Sequence, residues 1–279
     1  MSEVAVLERA RVAAPAPWTP QKVRWVRRWT DHLFSFAIDR PEDFRFRSGE
    51  FVMIGLPPLG GFGLDGAGKP TLRAYSIASP SWSDELEFFS IRVEDGPLTS
   101  RLVDIQPGDE VLLGRKPTGT LVLDALKPGR RLFLIGTGTG LAPWLSVARD
   151  PETYERFEQV VVTHTVRRVA DLAYRDFLQT GLFEDPLVGE QAQGRLIYYP
   201  TVTREAFERP GRITDRITSG AFFRDLGFDG RFDPALDRVM LCGSTAMIRE
   251  AAGLLESHGL SEGSNAEPGD YVLERAFVG

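Results

Sequence analysis

Residues 131–143 read Arg-Leu-Phe-Leu-Ile-Gly-Thr-Gly-Thr-Gly-Leu-Ala-Pro, an apolar run that passes into alternating glycines. The apolar run is typical of a buried strand, and the residues after the glycines are typical of a helix. A glycine turn between a strand and a helix allows the backbone to approach a phosphate group closely. The loop lacks the third glycine of the usual dinucleotide motif, so it does not identify a nucleotide site by itself.

The chain after residue 126 alternates strand-like and helix-like segments. Strands are predicted at residues 132–136, 160–165, 195–200 and 238–243. Helices are predicted at 141–149, 170–178 and 245–258, and a further helical stretch is predicted after residue 200. This alternation predicts a doubly wound parallel α/β sheet with right-handed crossovers. The sequence Lys127-Pro128-Gly129 favours a domain boundary there, so the second domain is expected to span residues 127–279.

The first half of the chain has a different texture. Short runs rich in Val, Phe, Ile and Trp alternate with turn residues, at 23–29, 33–38, 51–55, 72–78, 86–93 and 110–113. Many short strands at close spacing predict an antiparallel β-barrel over residues 21–126. Residues 60–70 are too glycine-rich for a strand and are expected to form a mobile loop, and residues 1–20 are expected to form a flexible arm.

Composition restricts the classes of function. The chain has 279 residues and a formal net charge of −6, which argues against a nucleic-acid or membrane-surface partner. Cys242 is the only cysteine, which excludes an internal disulfide and a four-cysteine iron–sulfur cluster. The three histidines, His32, His164 and His258, have no metal-ligand spacing, so no metal site is predicted. We expect a cytoplasmic, monomeric protein.

The tetrapeptide Arg73-Ala74-Tyr75-Ser76 has the groups that a flavin nucleotide requires. In a strand, Arg73 and Tyr75 share one side, where arginine can bind a phosphate and tyrosine can stack on an isoalloxazine ring. Ser76 could donate a hydrogen bond to flavin N5. The alternative is an ordinary edge strand with a surface arginine.

A second phosphate-binding feature follows in Gly96-Pro97-Leu98-Thr99-Ser100-Arg101-Leu102. Gly96 allows close approach of the backbone, and a helix that begins at Pro97 directs free N–H groups toward an anion. A pyrophosphate fits this arrangement, which favours FAD over FMN. A plain turn with a helix cap is the alternative.

Arginines follow the predicted strands of the second domain: Arg167, Arg204 and Arg212, with Thr203 beside them. Cations at the carboxyl ends of parallel strands suit a 2′-phosphate, which would select NADP over NAD. Solvated surface arginines are the alternative. Spacing alone favours Cys242 as a small buried apolar residue.

In this order, the motifs at residues 73–76, 96–102 and 136–143, with Thr203-Arg204-Glu205 and Cys242-Gly243-Ser244, resemble the ferredoxin–NADP⁺ reductase family. The resemblance extends over residues 21–279 and is strongest to the bacterial flavodoxin/ferredoxin branch. It implies a barrel that holds FAD, followed by an NADP-binding α/β domain whose C-terminal tail reaches the flavin.

The resemblance also implies roles for individual residues. The implied catalytic residues are Ser76, Cys242 and Glu274, which changes the interpretation of Cys242. The residues implied to contact FAD are Arg73, Ala74, Tyr75, Ser76, Phe89, Ser90, Ile91, Arg92, Pro97, Leu98, Thr99, Thr137, Ala276 and Phe277. The residues implied to contact NADP are Gly136, Gly138, Thr139, Gly140, Arg167, Thr203, Arg204, Arg212, Cys242, Gly243 and Met247. Ala276 occupies the position of the flavin-covering tyrosine of plant-type relatives, which implies a different lid near Phe277.

The implied activity is hydride transfer between NADPH and FAD, and single-electron transfer between FAD and ferredoxin or flavodoxin. A set of basic residues is a candidate docking surface for an acidic carrier: Arg24, Arg27, Arg28, Arg45, Arg47, Arg115 and Lys116. A reductase that serves an oxygenase, free flavin or quinone is the alternative enzyme. A flavin- or nucleotide-binding regulatory module without turnover is the alternative outside enzymology.

Overall fold

A computed structural model of the chain describes residues 16–58, 68 and 70–275. Six strands in the first half of the chain form one antiparallel sheet. They are β1 Trp18–Arg28, β2 Leu33–Asp39, β3 Phe51–Leu56, β4 Thr71–Ser76, β5 Glu85–Ile91 and β6 Glu110–Gly114. A short helix, α1 Thr99–Leu102, lies between β5 and β6, and a 3-10 helix, Leu123–Ala125, follows β6.

The first sheet curls back on itself. Its strand order is β4-β3-β6-β1-β2-β5, and each neighbouring pair is antiparallel. Directly after β4, Ile77 pairs with Phe88 of β5, and the N–H of Ala78 donates to the carbonyl of Glu87 at 2.8 Å. These contacts join the two outer strands. The predicted antiparallel β-barrel is thereby confirmed.

Aromatic and branched side chains fill the inside of the curled sheet. Phe36 is fully buried and its ring lies 5.3 Å from that of Phe88 and 6.1 Å from that of Phe34. Leu98 and Leu102 of the α1 region close one end of this core. Burial of such residues is the main stabilising contribution to a sheet of this size.

Five parallel strands form the second sheet. They are β7 Arg131–Thr137, β8 Gln159–Val166, β9 Leu196–Val202, β10 Asp237–Gly243 and β11 Tyr271–Arg275. The strand order is β11-β10-β7-β8-β9, so the direction of winding reverses between β7 and β10. In open α/β sheets, ligands bind beyond the carboxyl ends of the strands at this reversal.

Seven further helices accompany the second sheet: α2 Ala142–Ala148, α3 Pro151–Arg156, α4 Arg175–Gln179, α5 Gly189–Ala192, α6 Ile213–Thr218, α7 Ala221–Leu226 and α8 Thr245–Ser257. These helices form two layers, one on each face of the second sheet. Successive side chains along β7 point alternately toward the two layers. Leu132 and Leu134 pack with α2 to α5, whereas Phe133 and Ile135 pack with α6 to α8. The predicted doubly wound α/β architecture is confirmed.

The helix layer that contains α2 also packs against residues of the barrel, so the two sheets share one hydrophobic core cluster. Polar contacts cross the same boundary. The Ser48 hydroxyl donates to the Asp150 carboxylate at 2.6 Å, and the Ser146 hydroxyl donates to the Ser79 carbonyl at 2.7 Å. The indole of Trp82 donates to a backbone carbonyl of the second sheet's layer at 2.9 Å. These contacts hold the C-terminal end of α2 and the residues just after it against the barrel.

A buried polar cluster strengthens this boundary. The Tyr174 hydroxyl donates to the Glu87 carboxylate at 2.7 Å and contacts the Ser35 hydroxyl, and the Trp29 indole donates to Ser35 at 2.8 Å. Arg149 lies 3.3 Å from the same carboxylate. Burial raises the pKa of Glu87, while Tyr174 and Arg149 act in the opposite direction.

Several details differ from the sequence-based expectations. The prediction of a single helix over residues 170–178 is wrong. A 3-10 helix, Val169–Asp171, precedes α4, and Tyr174 lies between the two with a φ of 60°. Tyr174 directly precedes α4, and its hydroxyl lies against the barrel. The sequence did not predict α3, α5 or β11, and the one helical stretch predicted after the third strand is divided into α6 and α7.

The predicted boundaries can be compared with these elements. β1 begins at Trp18, three residues before the expected start of the barrel at residue 21, because Trp18 pairs with Gly114. The expected boundary at residues 126/127 lies between the 3-10 helix Leu123–Ala125 and β7. Most of the expected N-terminal arm lies outside the described residues (1–15), and so does most of the expected glycine-rich loop (60–67 and 69). Residues 59 and 276–279 also lie outside them. No helix in the described ranges is long and apolar enough to cross a bilayer.

Candidate functional site

A cleft lies between β4, β5 and α1 of the barrel and the carboxyl ends of β10 and β11. It brings together ten residues predicted to contact FAD and the three predicted catalytic residues. The predicted FAD contacts that line it are Arg73, Ala74, Tyr75, Ser76, Phe89, Ser90, Ile91, Pro97, Leu98 and Thr99. The catalytic residues in the cleft are Ser76, Cys242 and Glu274.

Tyr75 provides an aromatic surface on the barrel side of this cleft. Its ring meets Phe88 edge to face at 6.3 Å, and its hydroxyl lies 3.3 Å from that of Ser90 on β5. Burial raises the pKa of the Tyr75 phenol, so the side chain is neutral at physiological pH. Arg73 is two residues earlier on β4 and lines the same cleft. A neutral aromatic ring beside a cation fits a ring system that carries a phosphate tail.

The turn before α1 is built for close backbone approach. A Cβ at Gly96 would lie 2.4 Å from the Thr99 hydroxyl and 3.1 Å from Val93, so only glycine fits. Thr99 in turn accepts a hydrogen bond from the N–H of Val93 at 3.1 Å, and Ser100 donates to the Gly96 carbonyl at 2.7 Å. These local bonds fix a compact turn on the wall of the cleft.

The glycine loop after β7 forms a 3-10 helix, Gly138–Leu141, that continues into α2. A Cβ at Gly140 would lie 2.5 Å from the carbonyl oxygen of Cys242, so the loop contacts the end of β10 directly. Gly243 has φ of 151°, and a Cβ there would lie 2.2 Å from the Thr137 hydroxyl. The glycines therefore allow the ends of β7 and β10 to approach each other at the winding reversal.

Cys242 and Glu274 are register partners on β10 and β11. The Cys242 thiol is buried, and both burial and the neighbouring Glu274 raise its pKa, so the thiol is protonated at neutral pH. Burial also raises the pKa of Glu274 to about 7, although the N–H of Thr120 donates to its carboxylate at 2.5 Å. The Glu274 carboxyl is therefore close to half-protonated at neutral pH, beside a thiol that carries no charge.

A second cavity of about 480 Å³ lies beyond the carboxyl ends of β7 and β8. Seven residues predicted to contact NADP or to lie between the cofactors line it: Thr137, Gly138, Thr139, Arg167, Thr203, Arg212 and Met247. Ile91 and Thr139 line both this cavity and the cleft beside Tyr75, so the two spaces adjoin each other. The predicted flavin and dinucleotide regions therefore lie side by side.

Some predicted residues lie elsewhere. Arg204 is exposed and lines neither cavity, and its backbone N–H bonds to the carbonyl of Arg167 at 3.0 Å. Arg92 is also exposed and outside both cavities. Gly136 and Gly243 shape the loop without lining a cavity. The roles predicted for Ala276 and Phe277 lie outside the described residues, and the individual contacts predicted for the others stay predictions.

The second cavity is also lined by residues that were not predicted from the sequence, including His32, Asp171, Ser244 and Glu250. His32 belongs to the hairpin between β1 and β2, and its Nε2 lies 3.1 Å from Asp171 Oδ1 on the other side of the boundary. Sequence periodicity cannot predict this contact, because His32 and Asp171 are far apart in the chain. The Ser244 hydroxyl, in contrast, accepts a hydrogen bond from the N–H of Met247 at the start of α8. Serine directly before a helix is a common N-cap, so this position could be recognised from the sequence.

The donor set fits FAD and NADP. The cleft combines an aromatic face at Tyr75, the Arg73 cation, hydroxyl groups at Ser76 and Thr99, and the side-chain-free turn at Gly96. The second cavity combines two arginines with the glycine loop. Across the described ranges, no cluster of three or more His, Cys, Asp or Glu side chains is arranged to hold a metal ion.

The curled barrel, the doubly wound sheet and their shared cleft define a class of two-domain flavin and nicotinamide-nucleotide oxidoreductases. The family model for the oxidoreductase NAD-binding domain matches residues 134–253. The chain is 53% identical over 279 residues to a flavodoxin/ferredoxin–NADP reductase of Rhodobacter capsulatus, with 100% of this chain and 99% of the relative covered. It therefore belongs to the flavodoxin/ferredoxin–NADP reductase family, as the sequence motifs indicated.

Two further comparisons agree. The chain is 51% identical over 259 residues to a ferredoxin–NADP reductase of Pseudomonas aeruginosa, which covers 92% of this chain and 97% of the relative. A solved ferredoxin NADP⁺ reductase of Neisseria gonorrhoeae with bound FAD and NADP superposes with a TM-score of 0.82 at 30% identity. That superposition covers 94% of this chain and 100% of the other.

Proposed function

We propose that this protein is an FAD-dependent ferredoxin/flavodoxin–NADP reductase. The observation that carries the proposal is that the two cavities adjoin at Ile91 and Thr139. An enzyme that exchanges hydride between a flavin and a nicotinamide must hold the two ring systems in contact. The named activities of the relatives, at 53% and 51% identity over most of the chain, support the same function.

FAD would be held by the barrel side of the cleft. Tyr75 would provide the stacking surface, Arg73 and the turn at Gly96 would hold the pyrophosphate, and Ser76 would donate to the ring system. When bound, FAD supplies the conversion between two-electron and one-electron transfer. The residues of the chain contribute orientation and exclusion of water.

Cys242 and Glu274 would form the surface on which the nicotinamide rests. The protonated thiol of Cys242 offers an uncharged contact, because burial keeps its pKa above the ordinary range. Glu274, with a pKa of about 7, holds a proton on its carboxyl in about half of the molecules at neutral pH. Its bond from the N–H of Thr120 fixes the carboxyl against the barrel.

The preference for NADP over NAD would come from Arg167 and Arg212, with Thr203 beside them. Two guanidinium groups in one cavity favour the extra charge of a 2′-phosphate. We expect Arg212→Ala to weaken NADPH binding by about tenfold to a hundredfold and NADH binding by less than about threefold. Arg224→Ala, an exposed arginine on α7, is the matched control. Equal losses for both coenzymes in Arg212→Ala would contradict the assignment.

The basic residues proposed as a carrier surface do not form one patch. Arg115 lies beside the first residues of β1 and Arg28 at its other end, roughly 30 Å away at about 3.3 Å per residue. Arg24 is paired with Asp39 at 3.0 Å, and Arg47 with Glu50 at 3.1 Å. A carrier would therefore meet only part of this set.

Arg92 is a better placed candidate for contact with the carrier. It is exposed, it follows Ile91 at the junction of the two cavities, and no ion pair to it occurs among residues 16–58, 68 and 70–275. We expect Arg92→Glu to slow association with an acidic ferredoxin or flavodoxin by about tenfold at low salt. Lys116→Glu, which follows β6 beside the start of β1, is the matched control. Unchanged association in Arg92→Glu would remove this residue from the docking surface.

The experiment that tests the function compares electron acceptors. Protein reduced anaerobically with NADPH is mixed in a stopped-flow instrument with purified ferredoxin, flavodoxin or free FMN. We expect rapid reoxidation by one or both carrier proteins and slow reoxidation by FMN. Faster reoxidation by FMN than by both carriers would instead support a reductase for free flavin.

A further inference from the structure

His164 is buried beneath the glycine loop and has no contact with either cavity. It lies on β8 as the register partner of Gly136, one residue before the end of the pairing with β7. Its Nε2 is 3.2 Å from the carbonyl oxygen of Gly138, and its Nδ1 is 3.1 Å from the hydroxyl of Tyr198 on β9. Burying a polar side chain costs free energy unless its polar atoms form hydrogen bonds. The two hydrogen bonds of His164 offset this cost.

The two partners fix the direction of both hydrogen bonds. A carbonyl oxygen can only accept, so Nε2 carries the hydrogen and donates to Gly138. Burial lowers the pKa of His164 to about 4, which keeps the ring neutral, and a neutral ring has one acceptor nitrogen. Nδ1 therefore accepts from the Tyr198 hydroxyl. The result is a single directed chain from Tyr198 through His164 to Gly138.

The bond to Gly138 also determines where the following N–H points. The Gly138–Thr139 peptide is trans, so its carbonyl and its N–H point in opposite directions. With the carbonyl directed at His164 beneath the loop, the N–H of Thr139 is directed to the opposite side. Thr139 lines both cavities at their junction, so that side is the ligand site.

Gly138 is the residue at which this orientation could be lost. Its φ is 54°, and a Cβ there would meet nothing within 4 Å. Glycine has access to several backbone conformations of similar energy, so local sterics do not hold this peptide in one of them. The donor at His164 Nε2 restricts the peptide to the conformation that presents the Thr139 N–H.

We propose that His164 is a positioning residue for dinucleotide binding, which holds the Gly138 carbonyl so that the Thr139 N–H faces the pyrophosphate of NADP(H). The inference rests on the proposed function, because it assumes that NADP occupies the second cavity. Tyr198 supports the same role by holding the hydrogen of His164 on Nε2. Neither residue touches the ligand in this arrangement.

A matched pair of amide substitutions separates this role from simple packing. His164→Gln can place its amide nitrogen near the position of Nε2 and can still donate to Gly138. His164→Asn is too short to do so, but it retains a polar group near Tyr198. Each FAD-loaded protein is titrated calorimetrically with NADP⁺ and with 2′-AMP, which has the 2′-phosphate but no pyrophosphate.

We expect His164→Asn to weaken NADP⁺ binding by about tenfold, which corresponds to about 1.4 kcal/mol, and to leave 2′-AMP binding within about twofold. His164→Gln should bind NADP⁺ within about threefold of the unsubstituted protein. Tyr198→Phe should weaken NADP⁺ by more than about twofold without affecting 2′-AMP. Because it retains the histidine, Tyr198→Phe decides the question if His164→Asn does not load with FAD.

Three results would overturn the inference: unchanged NADP⁺ binding in His164→Asn, equal losses for NADP⁺ and 2′-AMP, or His164→Gln as weak as His164→Asn. If His164→Asn does not fold, unchanged NADP⁺ binding in Tyr198→Phe would also overturn the inference. Failure of the unsubstituted protein to bind NADP⁺ and 2′-AMP would contradict the proposed function as well. The two failures are therefore distinguishable.

Discussion

Replacing Glu274 by glutamine removes one ionisable group from the boundary between the barrel and the second sheet and nearly preserves its shape. The Glu274 carboxylate accepts a hydrogen bond from the N–H of Thr120 at 2.5 Å, and the glutamine carbonyl oxygen can accept the same bond. Burial is the largest influence on the carboxyl and raises its pKa from 4.5 to about 7. Repulsion from Glu50 acts in the same direction.

The raised pKa makes the stability of the folded protein depend on pH. Well below pH 4.5 the Glu274 carboxyl is protonated in both the folded and the unfolded chain, so it costs nothing. As the pH rises, the unfolded chain ionises first, and folding is progressively penalised until the folded carboxyl ionises near pH 7. The penalty is about 1 kcal/mol at pH 5 and about 3 kcal/mol at pH 8.

Glu274→Gln should therefore be more stable than the unsubstituted protein, by an amount that grows by about 2 kcal/mol between pH 5 and pH 8. The measurement is urea unfolding of the FAD-loaded proteins at several pH values, followed by tryptophan fluorescence. Glu267→Gln, an exposed glutamate in the connection before β11, is the control and should show no such trend. Parallel pH curves for Glu274→Gln and the unsubstituted protein would refute the reasoning.

Two other substitutions test the boundary and the glycine loop. Tyr174→Phe removes the 2.7 Å donor to the buried Glu87 carboxylate and should cost about 1–3 kcal/mol, visible as a melting temperature several degrees lower; an unchanged melting temperature would count against this cluster. Gly140→Ala places a methyl group 2.5 Å from the Cys242 carbonyl oxygen and should destabilise by about 1–3 kcal/mol while weakening NADP⁺ binding. Gly253→Ala on α8 meets nothing within 4 Å and should stabilise by about 0.5–1 kcal/mol, so similar effects of the two alanines would contradict the packing argument.

Most of the fold was predictable because its elements have local signals. Period-two runs of apolar residues predicted the barrel strands within a few residues of their observed bounds, and the alternation after residue 126 predicted the doubly wound sheet. β11 was missed because Tyr271–Arg275 is short and is defined by its pairing with β10. The break at Tyr174 was missed because its left-handed conformation accompanies a contact with the barrel, which no local pattern encodes.

The candidate site was predictable where its residues occur in contiguous motifs. Residues 73–76 line the cleft, and most of residues 136–143 line either the cleft or the adjoining second cavity. Arg204 was selected by its place after a strand, but a residue in a turn can point away from the neighbouring cavity, and Arg204 lines neither cavity. Its predicted contact with NADP stays a prediction. His32 and His164 were discounted as scattered histidines, since their partners are set by tertiary structure.

The central claim is that FAD in the cleft beside Tyr75 accepts electrons from NADPH in the adjoining cavity. The most direct measurement is an anaerobic titration of the purified, yellow protein with NADPH and, separately, with NADH. The structure predicts that one equivalent of NADPH bleaches the flavin absorbance rapidly and that NADH does so far more slowly. A protein that binds no FAD, or whose bound FAD keeps its colour in the presence of NADPH, would contradict the account.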